Sequence, residues 1–394
     1  MRTLIRKIKD AVTGTDFMLL LFCIAASIFG VVMVYSATRP AMAEGETIPR
    51  DARAMVIAVG IGLVFALAVS FIDYNFITKL FPFVGAVCIG LMVLLFFIGV
   101  GPAERPDAKT WIKVPGTSFF FQPSELMKIG FIITFGMHLE LVRDKLDRIF
   151  HLALLLVHAA VPAGLVLITG DMGSALVFIF ISAVMLFCAG IKLRWFFLAG
   201  TILIAGAPFI WRFVFDSIQK DRILGLIYPD RYADVMLQQN RGMAAITGGG
   251  LTGQGLFHGA LTQVDNMIPE AENDMIFTCI GEELGLIGCA AALGLILAVV
   301  LRTVHVGRRA RMGGAGLMCF GFAAMIAFQT VVNVGMCLML LPVVGITLPF
   351  FSAGGSSNLC VYIGIGLILS IYRFDREKEA VSFRIGNQTP FSSY

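Results

Sequence analysis

Apolar residues run along this chain in long, nearly unbroken stretches separated by shorter polar connectors, a pattern of membrane helices rather than of a barrel. A helix needs about 20 apolar residues to cross a bilayer. Ten spans are expected by that measure, near 17–37, 53–72, 78–100, 123–142, 150–169, 173–190, 195–215, 274–301, 315–341 and 356–373. The exception to the short connectors is the segment 216–273. The expected architecture is an all-α integral membrane protein, a single polytopic domain over residues 1–394. It comprises an arm at 1–16, a ten-helix bundle over 17–373 and a tail at 374–394. A large extracytoplasmic loop, 216–273, separates helices 7 and 8.

Composition sharpens the class. Hydrophobic residues make up 58% of the chain and charged ones 14%, with mean hydropathy +0.87; soluble domains carry about 25% charged residues. The net charge of +4 is mild and dispersed, which argues against nucleic acid as a partner. All eight cysteines fall inside apolar runs without a Cys-x-x-Cys pair, so neither a disulfide framework nor a zinc site is indicated. The start, "RKIKDAVTGTD", leads into a full-length span with no small-residue cleavage site and is not a removable signal. Lys and Arg are richer in the connectors that lie inside when the N-terminus is inside, although Arg39, Arg50 and Arg53 pull weakly the other way. Both termini are therefore expected in the cytoplasm.

That topology gathers the polar exceptions on one side. Glu125 and Lys128 fall at the outer start of the fourth span, Asp171 in the outer turn "TGDMGSA", and Asp274 at the outer start of the eighth. "LPVVGITLPFFSAGGSSN", with Ser356, fills the outer turn before the last span. Intramembrane ionisable residues are functional by default, so a site open to the outside is the economical reading. Asp274 shares a helical face with Thr278, Gly281, Gly285 and Gly288, with Glu282 to one side and Glu283 pointing away; the plainer alternative is a helix cap. Glu270 and Glu272 read as solvated loop acids. Glu125 and Lys128, three apart, form either a structural ion pair or a support for the carboxylate across the cavity. Gln329 and Asn333 read as interhelical hydrogen-bonding groups.

The loop "AKTWIKVPGTSFFFQPSE" sets Trp111 between Lys109 and Lys113, as a membrane anchor or as a platform for a lipid-borne sugar and phosphate. Arg222, Arg231 and Arg241 in the long loop are candidates for an anionic headgroup, and Gln239 beside them is a supporting candidate. "TGGGLTGQG" lacks the Lys-Ser/Thr of a phosphate-binding loop. The five histidines form no HExxH, and "GGSS" lacks a nucleophile-elbow frame.

Taken in order, "VMVYSAT", "KTWIKVPGTSFFFQPSELMKIG", "GDMGSAL", "AAITGGGLTGQGL", "IPEAENDMIFTCIGEELGLIG" and "NVGMCLMLLPVVGITLPFFSAGGSSN" resemble the SEDS family (shape, elongation, division and sporulation proteins), with a lean towards its RodA-like members over the FtsW- and SpoVE-like ones. The resemblance runs from Asp16 to Arg373. It implies a ten-helix bundle in the bacterial cytoplasmic (inner) membrane that polymerises lipid II into a nascent glycan strand, with a class B penicillin-binding protein as partner. The family's essential aspartate matches Asp274, and its Trp, Glu and Lys match Trp111, Glu125 and Lys128. The sequence departs from the family pattern at Asn273 and Met275 beside that aspartate and at Ala353.

The residues support the same chemistry. A site on the outside has no nucleotide sugars to draw on, so its donor must arrive on a lipid. A carboxylate in a partly dehydrated cavity suits deprotonation of a sugar hydroxyl attacking an anomeric carbon. Pyrophosphate leaves without protonation but is helped by a cation: a Lys, an Arg or a divalent metal such as Mg or Mn. A lipid II flippase and a non-catalytic scaffold are the competing classes. The scarcity of charges in the inner halves of the spans speaks against the flippase.

Overall fold

The protein is described by a computed structural model covering residues 14–42, 45–101, 108–116, 120–146 and 148–386. Most of the expected N-terminal arm, Phe119 of the Trp111 loop and the last eight residues lie outside the described residues. The chain is mostly helical. In order the helices are α1 (Phe17–Thr38), α2 (Arg50–Ser70), α3 (Tyr74–Lys79), α4 (Phe81–Ile98), α5 (Pro123–Leu141), α6 (Ile149–Ile168) and α7 (Met172–Cys188). There follow α8 (Leu193–Phe213), α9 (Ser217–Ile227), α10 (Ala233–Gly249), α11 (Ile276–Arg309), α12 (Gly313–Cys337) and α13 (Gly355–Gly386). A two-residue antiparallel pair, β1 (Ile112–Lys113) with β2 (Phe120–Phe121), sits between α4 and α5.

Among the described residues eight helices are long and apolar enough to cross a membrane: α1, α2, α4, α6, α8, α11, α12 and α13. The two other expected spans differ from these for visible reasons. Helix α5 carries Glu125, Lys128 and Glu140, and α7 is apolar but only 17 residues long. The expected third span is divided, because Pro82 opens α4 where a missing N–H costs nothing and α3 stands apart before it. The segment 216–273, expected as a loop, holds α9 and α10. Helix α9 starts with a capping box, Asp216 accepting from the Gln219 amide while the Gln219 side chain accepts from the Asp216 amide.

The bundle packs α13 along α2, α11 against α12 and α1, and α12 against α7 and α5. Helix α12 and the membrane part of α13 form its buried centre. Large apolar side chains such as Phe97 and Ile204, each 78% exposed, face outwards, as a bundle embedded in lipid requires. Helix α8 has no buried residue at all. At one end of the bundle Arg302 pairs with Asp16 at 2.7 Å, and Asp375 accepts from the Tyr74 hydroxyl at 2.6 Å and the Arg311 amide at 2.9 Å. Thus α1, α3, α11, the α11–α12 turn and α13 are tied together there, and the residues of interest lie at the opposite end.

Helix α11 is broken. Gly285 has φ 64° and ψ −161°, a conformation costly for any residue with a Cβ. In an unbroken helix the amides of Leu286 and Ile287 would donate to the carbonyls of Glu282 and Glu283. Here they donate to Gly250 O at 2.9 Å and Leu251 O at 3.2 Å. The freed carbonyls accept from Gln254 N at 2.9 Å and Gly255 N at 3.0 Å. Two segments thereby exchange backbone hydrogen bonds, and none of these four groups is left orphaned. The glycine-rich "TGGGLTGQG" supplies this close approach: a Cβ at Gly253 would strike the Glu283 backbone.

Candidate functional site

Asp274 lies in the turn ahead of α11, not inside the helix as expected, so it stands outside the spanning segment. The helix is capped by Met275 without a side-chain hydrogen bond, and none reaches the Asp274 carboxylate among the described residues. The capping alternative therefore does not describe this aspartate. The face it was expected to share ends at the break at Gly285. Its backbone, by contrast, is held firmly. The carbonyls of Glu272, Asn273 and Asp274 accept from Ala353 N at 2.9 Å, Ser352 Oγ at 2.8 Å and Asn333 Nδ2 at 2.8 Å. Three successive peptides are thus fixed to α12 and the segment that follows it. Gly345, at φ 71°, passes close to the carboxylate: a Cβ there would stand 3.5 Å from Asp274 Oδ2.

Burial raises the Asp274 pKa to about 7, with help from the charges of Glu270, Asp171 and Glu272. The Arg222 guanidinium acts in the opposite sense. Asp171 and Arg222 therefore lie within electrostatic reach of Asp274, as the sequence grouped them. Arg222 also donates to Val343 O at 2.8 Å, which anchors α9 over the segment facing Asp274. Asp171 caps α7 by accepting from Ser174 N at 2.8 Å, and its other oxygen accepts from Gln122 Nε2 at 3.0 Å. The backbone of Gln122 donates to Ser356 Oγ at 3.1 Å, and Ser356 donates to Phe120 O at 2.8 Å. Ser356 thus joins the β2 turn to the start of α13. Gln122 was not singled out from the sequence; its place beside the Pro-Ser-Glu that opens α5 was the available signal.

Other candidates take different places. Glu125 and Lys128 form a buried ion pair at 2.7 Å, with side chains 8% and 1% exposed, near Cys360 of α13. Gln239 is buried and donates to the carbonyls of Met336 and Leu341 at 2.8 and 2.9 Å, closing the end of α12. Glu282 accepts from the amides of Leu261 and Thr262 at 2.9 and 2.8 Å, so it holds the loop ahead of α11. Glu283, expected to point away, is fully buried and accepts from Ser36 Oγ, Gln263 Nε2 and Phe257 N at 2.6, 2.8 and 3.0 Å. Arg241 donates to Met267 O, whereas Arg231 is exposed. Trp111 is half-buried, its backbone paired with Val100. Glu270 is exposed, as expected of a loop acid, but Glu272 is half-buried and its pKa is raised, chiefly by burial.

A polar pocket of about 370 Å³ opens between residues 37–51 and 262–272; Glu270 and Glu272 are on its wall and Asp274 is not. Among the described residues no three His, Cys, Asp or Glu side chains converge to hold a metal ion.

Fold and site together define a multi-pass membrane protein with a carboxylate of raised pKa fixed just ahead of a broken spanning helix. The model of the cell cycle protein family FtsW/RodA/SpoVE matches residues 16–377, and the chain belongs to that family. It is 33% identical over 366 residues to the probable peptidoglycan glycosyltransferase FtsW of Geobacter sulfurreducens, covering 90% of this chain and 94% of that protein. It is 29% identical over 345 residues to the peptidoglycan glycosyltransferase MrdB of Escherichia coli K12, covering 86% and 90%. A solved structure described as the structural coordination of polymerization and crosslinking by a peptidoglycan synthase complex superposes with a TM-score of 0.77 at 26% identity, covering 92% of this chain and 98% of the other. Relatives of both names match over nearly the whole length, so similarity defines the family and not the branch.

Proposed function

We propose that this chain, a peptidoglycan glycosyltransferase by family, polymerises lipid II into glycan strands at the outer face of the bacterial cytoplasmic membrane, with Asp274 as general base. The observation that carries the reading is a carboxylate with a pKa near neutrality, held by its backbone and left free of side-chain partners among the described residues. A base whose pKa lies near the working pH is about half ionised and still able to take a proton. Asp274 removes the proton from the acceptor sugar's hydroxyl as that oxygen attacks the donor's anomeric carbon. The bond to the lipid pyrophosphate breaks, with inversion, and the leaving group departs unprotonated. Arg222, within electrostatic reach of Asp274, is the cation offered to the pyrophosphate. Lys128, committed to Glu125, supports the fold of the cavity instead.

In this reading α5 and α7 complete a ten-span bundle with both ends in the cytoplasm, and residues 216–273 lie outside. A class B penicillin-binding protein cross-links the product. Trp111 borders the substrate's path.

Purified protein supplied with lipid II, with the product resolved on a gel, tests the mechanism. Asp274→Asn should fold, by thermal melt, yet lose about 10²–10⁴-fold in polymerisation. Glu270→Gln, on the exposed loop, should stay within about threefold of wild type. An Asp274→Asn protein of near wild-type rate would sink the mechanism.

A further inference from the structure

We infer that Asn333 is a positioning residue for Asp274, acting through the peptide backbone rather than on substrate. The inference rests on Asp274 being the base. Asn333 Nδ2 donates to Asp274 O at 2.8 Å and to Ile346 O at 2.8 Å. Ile346 follows Gly345, where a Cβ would stand 3.5 Å from Asp274 Oδ2. A single amide group therefore sets both the peptide that carries the base and the wall the base faces. Both partners are carbonyls, which only accept, so the nitrogen must face them and the orientation of the amide is fixed.

Gluing helices would not require this residue. Asn333 is fully buried, and its Oδ1 has no hydrogen-bond partner among the described residues. A buried acceptor left unpaired costs stability, and an aliphatic side chain of similar size would pack α12 without that cost. Gln329, one turn earlier on the same helix, provides the contrast. It is 2% exposed with Oε1 likewise unpartnered, but no hydrogen bond joins it to residues 272–274. The two amides, which the sequence presents alike, differ in that one holds the peptide of the base.

The test is steady-state polymerisation of lipid II by the purified full-length protein, with melting temperature recorded for each variant. Asn333→Leu should lower kcat by about 10²-fold, the scale of a roughly 1 Å misplacement, with KM within about twofold. Gln329→Leu should keep kcat within about twofold, whatever its melting temperature. Asn333→Asp gives a further readout, taken only at pH values where its melting temperature matches that of wild type, so that loss of fold from a buried charge does not contribute. Its carboxyl can donate to one of the two carbonyls only when protonated, so its activity relative to wild type should rise as pH falls. This variant carries the test alone if Asn333→Leu does not fold.

Asn333→Leu with kcat near wild type would overturn the inference. So would Gln329→Leu losing kcat to the same degree, or an Asn333→Asp profile parallel to wild type. Asp274→Asn, run alongside, separates the two readings. If it is active, the base assignment fails; if it is inactive while Asn333→Leu is active, only the positioning role fails.

Discussion

At the scale of single residues, the decisive property of Asp274 is that burial lifts its pKa to about 7. For an acid whose native pKa lies above the unfolded value, the folded state binds the extra proton between the two. Stability therefore falls as pH rises from about 4 to about 7. Asp274→Asn removes that cost, so the inactive variant should melt higher than wild type at pH 8, measured by a thermal scan in detergent. Polymerisation should fall as pH drops through about 7. Removing the opposing charge with Arg222→Gln should move this acid limb upward, whereas an unmoved limb would separate Arg222 from the base. Glu125 and Lys128 behave differently because each buried charge has the other as its partner. Truncating one leaves an uncompensated charge, worth about 3–5 kcal/mol in other buried pairs. Each single Ala variant should lose most of its folded protein, and the double variant should cost less than their sum, as a double-mutant cycle in thermal stability will show.

At the scale of elements, Gly285→Ala is the sharpest case. A Cβ there would need the φ of 64° and would meet the backbone of Leu251 and Gly253. The expected outcome is loss of folded protein on size-exclusion chromatography, whereas Gly294→Ala, in open space on the same helix, should be neutral. The same region shows what could be read in the sequence. Apolar runs placed the spans because lipid demands them, to within about four residues except at the ends of α11 and α13, which continue past the expected 301 and 373 to Arg309 and Gly386 as polar, charged helix. The acids at 274, 282 and 283 were visible as exceptions. Their separate fates were not, because helical periodicity assumes an unbroken helix and α11 breaks at Gly285. The amides that hold Glu282 and Glu283 come from residues 257–263, 20 to 26 residues earlier, and no local pattern announces such pairing. The donors on residues 272–274 come from 333–353, further away still.

At the scale of the molecule, the proposed topology puts 216–273 outside. A cysteine introduced at Arg231, which is exposed, should react with an impermeant maleimide in intact cells; reaction only after permeabilisation would reverse the topology. The exchange of hydrogen bonds between residues 250–255 and 282–287 also has a consequence in time. A chain made at about 5–20 residues per second exposes the first segment for a few seconds before the second is complete. Through that interval the polar backbone of one waits for the other, and neither can close alone. The junction must then form and open in one event. The amides of Gln254, Gly255, Leu286 and Ile287, though distant in sequence, should exchange with deuterium at a common rate, set by that shared opening. Peptides from the two segments carrying clearly different rates would mean that the break in α11 is held by something else.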